Sequence, residues 1–92
     1  MNIVNDFLDK IETLLDKAPS DDDFDDFNEL EIWFLDNSMS LDSENEEISD
    51  LGDLIQDEIA EMSYMADNSQ QRKNIRKIYD EMKRELTKPQ RD

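Results

Sequence analysis

Ser20 to Asp36 reads SDDDFDDFNELEIWFLD, a run of carboxylates threaded with large aromatic and aliphatic side chains. The apolar residues return at three- and four-residue steps, which is helical rather than strand periodicity. Ser20 opens the helix, with Asp23 at the fourth position of a capping-box-like pattern and Asp21 and Asp22 placed at the positive end of the helix dipole. At about 100° per residue, Phe24, Phe27, Leu30, Ile32, Phe34, Leu35 and Met39 spread over a broad apolar arc centred near Phe24. Trp33 falls on the opposite side, among Asp22, Asp26, Glu29 and Asp36. The stretch thus predicts a helix with one face to pack and one acidic face carrying an indole.

Three further amphipathic segments surround it. Upstream, Asn2 is placed to cap a helix whose apolar residues Ile3, Val4, Phe7, Leu8, Ile11, Leu14 and Leu15 form one stripe, and Pro19 stops it near Ala18. Downstream, Asn37 to Asp42 reads as a loop and Ser43 with Glu46 as a second capping box. The third helix follows, with Ile48, Leu51, Leu54, Ile55, Ile59, Met62, Met65 and Ala66 inside. Glu46, Asp50, Asp53, Asp57, Glu61 and Tyr64 lie outside. Gly52 sits near the inner face, where it costs about 1 kcal/mol relative to Ala; a close helix approach or a slight kink accounts for it. Asp67-Asn68-Ser69 supplies a turn and cap for a basic last helix with Ile75, Ile78, Tyr79, Met82 and Leu86 inward, closed by Pro89. The expected helices are 3–17, 21–37, 44–66 and 70–87, with a frayed tail at 88–92. Short connections make this an all-α, single-domain antiparallel four-helix bundle.

The totals agree. Ninety-two residues allow one domain with one core, and a single Gly with two Pro leaves little punctuation for hairpins. Without Cys or His there is no disulfide, no imidazole acid–base chemistry and no zinc or haem ligation by the usual donors. Residues 1 to 15 lack the n- and h-regions of a signal peptide, and no apolar run reaches the roughly 20 residues of a membrane span. A cytoplasmic protein is expected. The formal charge of −16 argues against direct binding to nucleic acid or anionic lipid. Its distribution is uneven: residues 1 to 69 hold 2 basic and 22 acidic residues, and residues 70 to 92 hold 8 basic and 4 acidic. The last helix therefore acts as an internal counter-ion, Arg72, Lys73, Arg76 and Lys77 pairing with helices two and three.

Chemistry of its own is not expected. Asp21, Asp23 and Asp25 imitate the first ligands of a calcium loop, but Asp26 stands where Gly is required and Ile32 where Glu is required. No catalytic constellation, cofactor site or metal site is recognisable, so the chain is read as a non-enzyme. What remains is a surface. Asp22, Asp26, Glu29, Trp33 and Asp36, joined by Glu46, Asp50, Asp53, Asp57 and Tyr64, are the expected partner-binding residues. Aromatic anchors within a charged surface are what interface hot spots look like. The alternative is that the acids merely solvate the chain and the aromatics belong to the core. The partner should be basic, and proteins that bind nucleic acid, nucleases among them, are the main such class.

The segment SDDDFDDF at Ser20 to Phe27, the I-x-x-L-x-x-L-I-x-x-E-I pattern from Ile48 to Ile59 and the closing IRKIYDEMKREL helix from Ile75 to Leu86 resemble the small acidic helical immunity proteins of bacterial nuclease toxins. The pattern looks like that of helical immunity proteins similar to those of colicin D and of contact-dependent growth inhibition systems. The resemblance implies a monomeric inhibitor that blocks the basic active-site cleft of the nuclease domain at a toxin's C-terminus, typically a transfer-RNA-cleaving ribonuclease. Two other readings stay open: a mobile-element DNA mimic of the antirestriction or anti-CRISPR type, which could dimerise to extend its acidic face, and a helical adaptor with an exposed apolar patch.

Overall fold

A computed structural model describes residues 2–87. Helix α1 spans Ile3–Asp16, and Asn2 caps it by accepting a 2.9 Å hydrogen bond from the Val4 N–H. Lys17 leaves in extended geometry, and Pro19 then disfavours α conformation at Ala18.

Helix α2 spans Asp23–Glu44, starting later and ending later than its sequence predicts. Ser20 does not cap it. Its hydroxyl accepts from the Asp22 N–H at 3.2 Å and its carbonyl from the Asp23 N–H at 3.1 Å, so it shapes the turn ahead of the helix. Residues 37 to 42 are helical, not a loop, and the side chains of Asn37 and Ser38 turn back onto their own helix. Asn37 donates to the Trp33 carbonyl at 2.8 Å and Ser38 to the Leu35 carbonyl at 3.2 Å. Leu41, fully buried, then anchors the extra turn in the core.

The Ser43–Glu46 capping box is likewise not formed, since Ser43 lies inside α2 and the break comes at Asn45 alone. Asn45 is extended, donates its N–H to the Leu41 carbonyl at 2.8 Å and accepts from the Ile48 N–H at 3.2 Å. One residue thus closes α2 and caps α3, which spans Glu46–Ala60. Helix α3 stops short of the expected residue 66. Beyond it, buried Asn68 brackets the connection by accepting from the Ser63 N–H at 3.1 Å and donating to the Ser63 carbonyl at 3.0 Å. Met65, at φ 64°, takes the left-handed conformation between them. Asp67 then receives the N–H and hydroxyl of Ser69, which hold its carboxyl below the usual range, and α4 runs Ser69–Thr87. Pro89 and the expected tail lie outside the described residues.

Each helix packs against its chain neighbours, and α1 closes on α4 to complete a four-helix bundle. Lys17 meets Asp26 while Phe7 meets Phe34, so residue numbers rise along α2 as they fall along α1. Val4, Phe7, Leu8, Ile11 and Leu15 from α1, with Phe27, Leu30, Phe34 and Leu41 from α2, form one half of the core. Ile48, Ile55 and Ile59 of α3, Met62 just after it, and Ile75, Tyr79 and Met82 of α4 complete the same core. Gly52 marks a close approach: a Cβ there would stand 2.3 Å from Phe34 Cε1.

At the end of the bundle where α1 stops and α2 begins, Arg72 of α4 reaches across. One guanidinium nitrogen donates to the carbonyls of Leu14, Leu15 and Lys17 at 3.3, 3.3 and 2.5 Å. The other stands 3.0 Å from Asp23 Oδ1, close enough for an ion pair though bent away from hydrogen-bond geometry. A cation thereby meets the negative end of the α1 dipole and the carboxylate in the first turn of α2. Of the cations expected to pair with helices two and three, Arg72 meets Asp23 of α2 and Arg76 meets α1 instead; among the described residues none meets α3, and Lys73 and Lys77 have no ion-pair partner within 4 Å. Arg76 stands 3.6 Å from Asp16 of α1.

Candidate functional site

The buried side of α2 carries Asp23, Phe27, Leu30, Phe34 and Leu41. This axis is rotated by roughly a quarter turn from the arc centred on Phe24, which is itself only half-buried. Two corrections follow. Ile32, Leu35 and Met39, expected in the core, are 52%, 61% and 87% exposed along the back of the helix. Trp33, expected opposite the core, lies at its margin, half-buried and stacked on Phe7 with ring centroids 5.6 Å apart. Apolar side chains ring α2 on nearly all sides, so their mean direction is weakly determined and a longer helix with Leu41 at its end shifts it.

Beside Trp33 the α1–α2 seam opens into a groove of about 470 Å³. Asp9, Lys10, Thr13 and Leu14 supply one wall; Asp26, Glu29, Leu30 and Trp33 supply the other. Lys10 Nζ sits 5.4 Å from the indole centroid. Lys17 Nζ donates to Asp26 Oδ2 at 2.7 Å, and that bond and charge hold its ammonium pKa above the ordinary value. Sequence reasoning found Asp26, Glu29 and Trp33 but missed the α1 wall. The available signal was that Lys10 and Lys17, the two cations of residues 1 to 69, are seven residues apart and so fall on one face of the first helix.

Asp22, just ahead of α2, recurs at seven-residue steps with Glu29, which also lines the groove, and Asp36, and the three form an exposed row beside it. Among the described residues, Glu29 and Asp36 have no ion-pair partner within 4 Å. Past that row comes the Ile32, Leu35 and Met39 stripe. The surface of α2 therefore presents three lanes, an aromatic groove, a line of carboxylates and an apolar stripe.

The chain matches no protein-family model, no curated protein and no solved structure.

The remaining expected residues lie elsewhere. Glu46, Asp50, Asp53 and Asp57 are exposed on α3 and do not line the groove. Tyr64 is not on α3 at all; it is 62% exposed in the connection to α4, next to Met65 at 64%. Leu54 and Leu86, assigned inward, are 49% and 41% exposed, and Ala66 is exposed as well. Among the described residues no group of three or more potential ligands is placed to hold a metal ion, and no helix is long and apolar enough to cross a membrane. A second, smaller groove of about 390 Å³ is lined by Leu15 of α1 and by Arg72, Lys73, Arg76 and Lys77 of α4.

Proposed function

We propose that this chain is the cytoplasmic immunity partner of a bacterial nuclease toxin, a non-catalytic inhibitor whose α2 surface occupies the toxin's basic substrate cleft. The observation that carries the reading is the three-lane surface of α2. Glu29 and Asp36, carboxylates without internal counter-ions, lie between the Trp33 groove and the Ile32, Leu35 and Met39 stripe. A fully solvated acidic face does not call for an exposed apolar stripe on one flank and a half-buried indole in a groove on the other. A protein interface uses both, because apolar contact slows dissociation while complementary charge speeds encounter. A tRNA-cleaving ribonuclease domain fits as partner, since its cleft must carry positive charge to hold phosphates. The resemblance of the sequence to small acidic immunity proteins supports the same choice, and the inhibitor works as a monomer.

The test uses the purified chain with the catalytic domain encoded next to it, scored by RNA cleavage. Stoichiometric inhibition is expected, with association slowed by salt and by Glu29→Lys with Asp36→Lys. Uninhibited cleavage at a tenfold excess of the chain contradicts the reading. A helical adaptor is the second reading, and the 87% exposure of Met39 within an apolar stripe favours it specifically. An adaptor loses its partner on Ile32→Ser, Leu35→Ser and Met39→Ser combined and keeps it when the α2 acids are reversed.

A further inference from the structure

Residues 1 to 69 contain two cations, Lys10 and Lys17, against 22 acids. Lys10 lies over the Trp33 ring at 5.4 Å, and Lys17 is bound to Asp26 at 2.7 Å, each touching a residue that lines the same α1–α2 groove. Neither is built in. Lys10 is exposed, and the Lys17 side chain is 51% exposed, so both leave their contacts at little cost. The groove, by contrast, is fixed. Phe7, fully buried, backs the indole, and Leu14 and Leu30 complete an apolar floor below Asp9, Asp26 and Glu29.

We infer that the Trp33 groove is a receptor for an arginine side chain of the basic partner, with Lys10 and Lys17 as displaceable stand-ins. An ammonium already seated on the ring shows which kind of group the groove receives, and the surrounding carboxylates set the sign of the ligand. Arginine suits it better than lysine. Its planar guanidinium stacks on an indole while still donating sideways to carboxylates, whereas an ammonium is a compact, strongly hydrated point charge. The partner's identity as a basic nuclease rests on the inhibitor reading, but the groove chemistry is testable without it.

Trp33 is the sole tryptophan, so its emission reports directly on the groove. The experiment titrates the intact chain with tetra-arginine and with tetra-lysine at equal ionic strength. It is repeated on Lys10→Met and on Lys83→Met, which removes the same charge from beside Tyr79 on α4. Circular dichroism confirms the fold of each variant. Tetra-arginine is expected to change the emission saturably and to bind at least 3-fold tighter than tetra-lysine, a preference of the size a partly exposed cation–π contact supplies. Lys10→Met should tighten arginine binding about 2- to 5-fold, as removal of such a contact from the competing lysine implies; Lys83→Met should not. Equal affinity for the two peptides, or equal tightening by the two variants, overturns the proposal and reduces the groove to general acidity. If that occurs while the neighbouring toxin domain is still inhibited, the inhibitor reading stands and the arginine site falls. Arginine-selective binding without inhibition of that domain keeps the site and removes the nuclease.

Discussion

Removing one partner of the Asp23–Arg72 pair should be the most destabilising polar change available in this bundle. The two side chains are 8% and 10% exposed and 3.0 Å apart, and Arg72 also serves three carbonyls at the end of α1. Breaking a buried pair from one side leaves an uncompensated charge and costs about 3–5 kcal/mol. Asp23→Ala belongs at the lower end, because the guanidinium retains its carbonyl acceptors. Arg72→Met belongs at the upper end, because it strands the carboxylate and the carbonyls together. Domain stabilities are about 5–15 kcal/mol, so either change removes a large share. With a urea slope of about 2 kcal/mol per M, the midpoint falls by roughly 2 M. The assay is equilibrium urea unfolding followed by circular dichroism, on both single variants and the double. The double should cost less than the sum by about 1–3 kcal/mol, since neither charge is then left alone. Single costs below about 1 kcal/mol, or additivity within about 0.5 kcal/mol, would refute the view that this pair locks α1, α2 and α4 together.

Other outcomes follow from single observations. Gly52→Ala gains about 1 kcal/mol of helix propensity but presses a Cβ into Phe34, itself 5.2 Å from Phe7; overpacking of about 1–3 kcal/mol makes the thermal midpoint fall, and a rise would contradict the close approach. Both amide atoms of Gln56 are buried without a hydrogen-bond partner, so Gln56→Met should raise stability by about 1 kcal/mol in urea unfolding, and a loss would mean the amide is satisfied. Burial and its hydrogen bond to Glu12 raise the Tyr79 phenol from 10.0 to about 12. Stability from this group is therefore complete below pH 10 and lost as pH climbs through 12, and Tyr79→Phe should flatten that part of the stability–pH curve. Self-repulsion at a net charge of −16 predicts a thermal midpoint that rises between 20 and 300 mM salt; a steady fall would show that surface ion pairs outweigh it.

Single-face helices were legible from sequence alone. In α1, every residue of the stripe from Ile3 to Leu15 is buried or half-buried, because its apolar residues point one way. Helix α2 resisted the same reading. With Phe24, Ile32, Leu35 and Met39 on one side and Phe27, Leu30, Phe34 and Leu41 on another, periodicity permits more than one inward face, and only packing against Phe7 and Gly52 selects it. Helix limits failed where side chains changed roles. Asn37 and Ser38, turn-formers by composition, bond back within the helix, whereas Asn45 ends one helix and caps the next. Of the candidate site, the carboxylates of α2 and Trp33 were visible, while the α1 wall with Asp9 and Lys10 was not. It exists only once the seam between two helices is built. Tyr64 was recognised as exposed but assigned to a helix that ends before it.

The most direct measurement of the central claim is protection in the cell. The chain is co-expressed with the nuclease toxin domain expected to be encoded beside it, and growth and RNA integrity are scored for the parent and for Glu29→Lys with Asp36→Lys. The parent should restore growth and intact RNA, and the charge-reversed chain, folded by circular dichroism, should protect far less. Equal protection by both chains, or none by the parent, would contradict an α2 surface that neutralises a basic nuclease.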